Sequence, residues 1–153
     1  MAIRQALDFL ISRIESTVPV SCSSDNFVCV QTADGYTSVL EARPGNLRRF
    51  DFGNDDGLLP TDDGDAGLSG RKRAYHTIRV RYDIPADLGL RERIMSEDAT
   101  TLIDSIKLPD YSPATTQIST CLPGSPTIEA LFDERGAEIA WLLKLPVQIL
   151  YKN

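Results

Sequence analysis

Few residues of the kinds that usually carry covalent chemistry occur in this sequence of 153 residues, which has three cysteines and one histidine. Cys22, Cys29 and Cys121 are odd in number and match no paired CxxC spacing, which disfavours a disulfide framework or a zinc site. A Cys–His nucleophile would need one of these thiols within hydrogen-bond reach of His76 and a third group to orient the ring. Because His76 falls on the apolar face of an alternating segment, a core or interface role is favoured over a catalytic one.

Aspartate and glycine replace periodic hydrophobic residues between positions 53 and 72. The aspartates in question are Asp55, Asp56, Asp62, Asp63 and Asp65. An EF-hand with Gly57 or Gly64 at its sixth position would place Phe52 or Leu59 at the first, and neither side chain can ligate calcium. A looser oxygen-ligand site stays open, but a solvated acidic loop is favoured. Uninterrupted loops of more than roughly 15 residues are unusual in compact domains, so we expect a long mobile loop with no metal and no cofactor.

A basic cluster follows the acidic segment. It consists of Arg71, Lys72, Arg73, Arg79 and Arg81. These side chains could contact phosphate or an acidic partner, but neutralisation by the neighbouring aspartates, within the chain or between subunits, is the simpler interpretation. Residues 64–72 lack the GxxxxGK[ST] order of a phosphate-binding loop. A net charge of -6 further disfavours a nucleic-acid-binding protein.

Two amphipathic helices and one long strand are predicted ahead of the last quarter of the chain. Hydrophobic residues at helical spacing predict a helix over residues 3–14, ended by Pro19. Strict alternation predicts a strand over residues 73–82. A second helical pattern runs through residues 95–106, with Ser96 as its expected N-cap.

The last quarter carries the strongest pattern of all. Hydrophobic residues at every second position predict a strand over residues 139–151, joined to a weaker strand at 127–133 by the hairpin turn Asp133–Gly136. Pro146 predicts a bulge or an edge position, since proline cannot donate to a ladder. The second face of the long strand is more apolar than a solvated face needs to be, with Ala140, Leu142 and Leu150. We expect a neighbouring subunit to cover it.

Shorter elements complete the prediction. Strands are expected at residues 27–31, 46–52 and 116–121, with a strand or short helix at 36–40. Together these elements predict one domain over residues 1–153 with an α+β fold of the α/β-sandwich type. It has a mainly antiparallel sheet, two helices packed on one face, and the long acidic loop.

The start of the chain lacks the layout of a signal peptide, and no apolar run approaches the roughly 20 residues that span a bilayer. We therefore expect a protein of the reducing cytoplasm that does not engage a membrane.

Four stretches together resemble the tail terminator proteins of long-tailed bacteriophages of the siphophage and myophage type. They are the helix at 3–14, His76–Tyr82, Ala99–Ile106, and the closing hairpin that ends in Leu145–Tyr151. The resemblance covers most of the chain and consists of element order, length and strand texture. It implies a structural virion protein and no enzyme: a ring, expected to be a hexamer, that caps the tail tube and meets the head-completion or stopper protein at the neck.

Under this resemblance the candidate residues acquire roles. The aspartates of segment 53–72 would lie at a ring interface or at the lumen, where passing DNA would meet like charge without specific binding. The basic cluster, with Leu142 and Leu150, would contact a neighbouring subunit or the tube protein. Two alternatives stay open: another head–tail joining protein, such as an adaptor or stopper, or a small enzyme that uses His76 or the loop carboxylates.

Overall fold

Two helices and nine strands make up the part of the chain that the computed structural model describes. The described residues are 2–21, 26–32, 35–36, 39–40, 48–53, 62–65, 71–83, 88–107, 111 and 118–152. In chain order the elements are α1 (Ala2–Glu15), β1 (Phe27–Cys29), β2 (Gln31–Thr32), β3 (Gly35–Tyr36), β4 (Arg48–Gly53), β5 (Asp62–Asp65), β6 (Arg71–Tyr82), α2 (Leu88–Lys107), β7 (Ile118–Pro123), β8 (Thr127–Phe132) and β9 (Glu138–Lys152).

The sheet is built around β9, because both edges of this strand are paired. One edge pairs antiparallel with the whole of β6. The other edge pairs with β8 in its first half and with β7 in its second half. The path β1-β4-β6-β9-β7 carries β5 beside β6 and β8 beside β9, and β1 with β4 is the one parallel pair among the described strands. The predicted α+β fold with a mainly antiparallel sheet is confirmed.

Pro146 lies inside this central strand. It is not on an edge strand, and the pairing with β6 continues past it without a shift in register. Its carbonyl oxygen accepts a hydrogen bond from the amide of Gly124 at 2.7 Å, on the side where β7 ends and β8 has not begun. Since the nitrogen and oxygen of one residue point the same way in an antiparallel ladder, the proline nitrogen also faces this gap. The predicted bulge or edge strand is thus replaced by a local gap between two partner strands.

Both helices pack on one face of the sheet and close the hydrophobic core. The buried core side chains come from both helices and five strands: Ala6, Leu10, Ile14, Phe27, Phe50, Phe52, Ile78, Val80, Tyr82, Ile94, Met95, Ala99, Leu102, Ile106, Ile118, Cys121, Leu143, Leu145, Val147 and Ile149. The helix predicted at 3–14 is confirmed. The second helix begins at Leu88, so the prediction of Ser96 as its N-cap is wrong. Ser96 lies inside the helix, where its carbonyl oxygen accepts a hydrogen bond from the Thr100 hydroxyl at 3.3 Å.

Residues 39–40, which lie between β3 and β4, cover part of the other face of the sheet. Val39 is fully buried. Its amide donates to Asp51 Oδ2 at 3.2 Å, and its carbonyl oxygen accepts from Arg81 Nη1 at 3.0 Å. Polar groups of the sheet therefore hold the backbone that covers them.

The continuous loop predicted over residues 53–72 is wrong in three places. Gly53 ends β4, Asp62–Asp65 form β5 against β6, and β6 already begins at Arg71. A strand at the margin of a sheet is stabilised by ladder hydrogen bonds, so β5 leaves no hydrophobic pattern in the sequence. Residues 54–61 and 66–70 lie outside the described residues.

The shorter predicted strands are found in part. The strand at 46–52 corresponds to β4, and the strand at 27–31 is divided between β1 and β2. The strand at 116–121 corresponds to β7 from Ile118 onwards, and residues 116–117 are not described. The segment predicted at 36–40 contributes Tyr36 to β3 and a turn at 39–40, with 37–38 again outside the described part.

Candidate functional site

The tip of the β8–β9 hairpin is fixed by its own side-chain chemistry. Asp133 Oδ1 accepts the amides of Arg135 at 2.8 Å and Ala137 at 2.9 Å, and the backbone of Asp133 also pairs with that of Ala137. Gly136 adopts φ 80°, a left-handed conformation that glycine enters without steric cost. The turn predicted at Asp133–Gly136 is confirmed, and the hairpin it closes is a defined ribbon.

One long side of this ribbon is open. β8 pairs with β9, and among the described residues no strand pairs with its outer edge. Three large hydrophobic side chains of the ribbon are exposed: Ile128 by 46%, Phe132 by 60% and Ile139 by 44%. An uncovered edge with apolar side chains is a template for association with another chain, which natural monomers usually protect. We take this ribbon edge as the candidate functional site.

A buried arginine anchors the ribbon to the start of α2. The Arg91 guanidinium lies over the Trp141 ring, 4.4 Å from its centroid, and Nη1 pairs with Glu138 Oε1 at 2.6 Å. The Trp141 indole donates to the same carboxylate. The indole hydrogen bond, and then the arginine, hold the pKa of Glu138 below its ordinary value. The base of the ribbon is therefore positioned by packing and by charge together.

A groove separates the ribbon from α2. Its volume is about 220 Å³. It is lined by Met95, Ser96, Ala99, Thr100, Ile103, Pro126, Ile128 and Leu143. Six of these eight side chains are apolar, and Ile128 is shared with the open edge of the ribbon. The groove and the edge thus form one continuous apolar surface.

The predicted partner-contacting arginines turn out to be paired within the chain. Arg79 makes two hydrogen bonds to Asp51, at 2.8 and 2.7 Å, and is 8% exposed. Arg81 is 2% exposed and pairs with Asp83 at 2.7 Å, besides donating to two backbone carbonyls. Both arginines are therefore paired within the chain, Arg79 with Asp51 of the neighbouring strand β4 and Arg81 with Asp83 directly after β6. Their contact with a neighbouring subunit stays a prediction.

The remaining predicted interface residues are distributed differently. Leu142 is 1% exposed and stands beside Arg81 in register, so it is already covered within the single chain. Its contact with a neighbouring subunit stays a prediction. Leu150 is half-buried at the far end of β9. Its role as an interface residue stays a prediction.

The described part of the acidic segment, β5, pairs with the strand that carries the basic segment. In the β5–β6 ladder, Asp65 is the register partner of Lys72 and Asp62 that of Ala74. Asp63 lies in β5, and the backbones of Arg71 and Arg73 lie in β6. The structure thereby brings the acidic and basic segments side by side, whereas Asp55 and Asp56 lie outside the described residues.

A buried network that the sequence did not reveal connects α2 to the sheet. Asp98 is fully buried and accepts Arg48 Nε at 2.6 Å, Arg48 Nη2 at 3.2 Å and the Tyr82 hydroxyl at 2.6 Å. Burial raises the pKa of Asp98, and burial followed by the nearby Asp98 charge raises that of Tyr82. The predicted N-cap at Ser96 would put Asp98 in the first turn of a helix. The helix α2 instead begins at Leu88, ten residues before Asp98, so Asp98 lies inside the helix, where its side chain is buried.

His76 lines a separate cavity of about 400 Å³ between β6, β9 and the end of β7. The ring is 7% exposed and meets the Phe52 ring edge-on, with centroids 6.0 Å apart. Cys121 is 3% exposed, and burial raises its pKa to about 12, so its sulfur stays a thiol at neutral pH. A thiol is a poor nucleophile compared with a thiolate, so the Cys121–His76 pair weighed from the sequence gains no support.

The described residues offer neither a metal site nor a membrane-spanning helix. They contain no cluster of three or more His, Cys, Asp and Glu side chains placed to hold a metal ion. Neither described helix is long and apolar enough to cross a membrane. No family model matches the sequence, and no curated protein matches it significantly.

Proposed function

We propose that this chain is a structural subunit that closes side by side with copies of itself into a ring, as the tail terminator of a long-tailed bacteriophage. The observation that carries the proposal is the outer edge of β8, which no described strand pairs, on a strand that presents Ile128 and Phe132 to solvent. Edges of this kind are normally blocked by charge, bulges or covering elements unless a partner uses them. Within the described part of the chain, this edge has no partner strand.

The element order supports the same proposal. The resemblance to tail terminators rests on a first helix, a charged alternating strand, a second helix and a closing hairpin. α1, β6, α2 and the β8–β9 ribbon follow one another in that order. In a tail terminator such a subunit caps the tube protein on one side and meets the head-completion protein on the other, in the neck of a virion assembled in the host cytoplasm.

Charge supports passage of DNA without specific binding. The chain carries a net charge of -6. Four arginines of β4 and β6 are withdrawn from the surface, each at most 8% exposed: Arg48, Arg49, Arg79 and Arg81. Arginines paired inside the fold cannot release counterions from phosphates, so these four side chains offer DNA little attraction.

Capping of tail tubes tests this function. Purified chain would be added to growing tubes of the cognate tube protein and viewed by electron microscopy, with the mass of the free chain measured by native mass spectrometry. We expect rings at tube ends and arrested growth. An adaptor or stopper would form rings that leave tube growth unchanged, which separates the two kinds of neck protein.

A variant pair makes the same experiment specific to the ribbon. Phe132→Glu places a charge on the exposed edge and should abolish capping, whereas Leu40→Glu alters a side chain exposed to a similar degree, 51% against 60%, away from the ribbon. Both variants should unfold at the same urea concentration as the wild type, since both positions are solvent-facing. Capping by Phe132→Glu at wild-type efficiency would remove the ribbon from the proposal.

The cavity at His76 favours a second candidate, a small enzyme or ligand-binding protein. Its volume of about 400 Å³ lies within the range of small-molecule sites, and Tyr75, His76 and Gln148 supply polar groups. A metabolite that protects the wild type against thermal unfolding, and fails to protect His76→Ala, would favour this candidate over the ring.

A further inference from the structure

A second exposed apolar surface follows α1. Val18 is 69% exposed and Val20 is 68% exposed, while Thr17, at 9%, and Pro19 are buried. Burial therefore alternates along the segment, with the two valines directed to solvent. This surface is called the valine pair below.

The valine pair is held firmly against α2. The Thr17 and Ser105 hydroxyls hydrogen-bond at 2.7 Å, and the Ser21 hydroxyl donates to Glu97 at 2.6 Å. The Ser21 carbonyl oxygen also accepts from the buried Arg48 at 2.5 Å. With polar anchors on both sides, the valines are presented in a fixed geometry, which lowers the entropy lost when a partner binds.

The valine pair and the ribbon groove lie on opposite flanks of the same helix. An α-helix turns about 100° per residue. Glu97 and Ser105, which hold the valine segment, occupy one flank of α2, whereas Ser96, Thr100 and Ile103 line the groove on the other. The core-facing residues between them include Leu102 and Ile106. A subunit that carries two apolar surfaces on opposite flanks has the layout of a head-to-tail, heterologous contact.

We infer that the valine pair of one copy docks into the groove between α2 and β8 of the next copy, and that this contact closes the ring. The inference rests on the proposed function and names the two surfaces that meet. Val18 and Val20 would cover Ile128 at the mouth of the groove, and Phe132 and Ile139 would lie beside residues 16–21 of the neighbour. The two apolar surfaces then cover each other, and neither stays exposed inside the ring.

The size of the ribbon surface suits a second copy. A specific interface of standard size takes about 20–30 residues from each side. The ribbon from Thr127 to Lys144 and the outer flank of α2 together supply about twenty residues. This surface is therefore large enough to bind a folded neighbour, and a short peptide would cover only part of it.

The inference predicts a complementation that symmetric dimerisation could not give. Val18→Glu/Val20→Glu destroys the valine pair and leaves the groove, whereas Ile128→Glu destroys the groove and leaves the valine pair. Each variant alone should lose every species above one chain mass. An equimolar mixture should give a species of two chain masses and nothing larger, because only one complementary contact remains between the two variants.

Native mass spectrometry of the wild type, the two variants, their mixture and Val28→Glu gives the test. Val28 is 38% exposed on β1, outside both surfaces, so Val28→Glu should assemble as the wild type does. Urea unfolding of each variant checks that the fold is kept. Wild-type assembly by either variant alone, or a mixture that stays at one chain mass, would overturn the inference while the ring itself stands. Failure of the wild type to assemble, both free and on tube ends, would instead overturn the proposed function.

Discussion

Removal of the Asp98 carboxylate is the sharpest test of how the helix layer is tied to the sheet. Asp98→Ala would remove the carboxylate that pairs with the fully buried Arg48 guanidinium and accepts the Tyr82 hydroxyl. Breaking a buried ion pair from one side costs about 3–5 kcal/mol, because an uncompensated charge stays in the interior. Domains of this size are stable by only about 5–15 kcal/mol in total. The loss is therefore a large part of the free energy of unfolding.

Urea denaturation followed by circular dichroism measures this loss. With a slope of about 2 kcal/mol per molar urea, a loss of about 4 kcal/mol lowers the midpoint by about 2 M. Tyr82→Phe removes a single hydrogen bond to the charged acceptor and should cost about 1.5–3 kcal/mol. Asp104→Ala, at an exposed position of the same helix, should leave the midpoint almost unchanged.

A double variant separates the charge from the packing. Arg48→Met/Asp98→Leu replaces the pair by apolar side chains and should recover most of the stability lost in Asp98→Ala, since buried ion pairs are often matched by well-packed hydrophobic residues. If Asp98→Ala were no less stable than Asp104→Ala, the assignment of this network as the link between α2 and the sheet would be refuted.

Two further predictions concern the ribbon and the second face of the sheet. The pKa of Glu138 is held below 4.5, so the contribution of this carboxylate to stability is complete above pH 4.5 and is lost as pH falls through the lowered pKa. The fluorescence of Trp141, the only tryptophan, should therefore change below pH 4.5 in the wild type and stay constant in Glu138→Gln. A fluorescence midpoint above pH 4.5 would contradict this prediction. Gly53→Ala would place a Cβ 2.4 Å from Arg79 Nε and push the guanidinium away from Asp51. The free energy of unfolding in urea should fall by about 1–3 kcal/mol. Wild-type stability of this variant would show that the contact between Arg79 and Asp51 is dispensable.

Elements with strong hydrophobic periodicity could be predicted from the sequence. β6 and β9 alternate strictly, and α1 repeats its apolar residues at helical spacing, so one face of each had to be buried. The hairpin turn was equally open to prediction, because Gly136 supplies a conformation that few other residues adopt.

The buried arginines could not be placed in this way. Arg48 and Asp51 are charged, and a pattern of polar and apolar residues assigns charge to the surface. Their partners lie far along the chain: Arg48 pairs with Asp98 across 50 positions and Arg79 with Asp51 across 28. Whether a charge is exposed or paired is decided by tertiary contacts, which a single sequence does not display.

The start of α2 was hidden for a related reason. Its first described turns carry Arg91, Glu92 and Arg93, which look like a polar connection. Arg91 is nevertheless 3% exposed, because the Trp141 ring and the Glu138 carboxylate of the ribbon enclose it. The candidate surface could not be predicted from the sequence either. The sequence shows that Ile128 and Val18 are hydrophobic, but only the fold shows that nothing in the described chain covers them.

We propose that this chain acts by closing with copies of itself at the end of a tube. Electron microscopy of tail tubes mixed with the purified chain, together with native mass spectrometry of the complexes released from their ends, measures this directly. We predict a ring at each capped end with the mass of six chains, and tubes that stop growing. A chain that stays monomeric at every concentration and leaves tube growth unaffected would contradict the account.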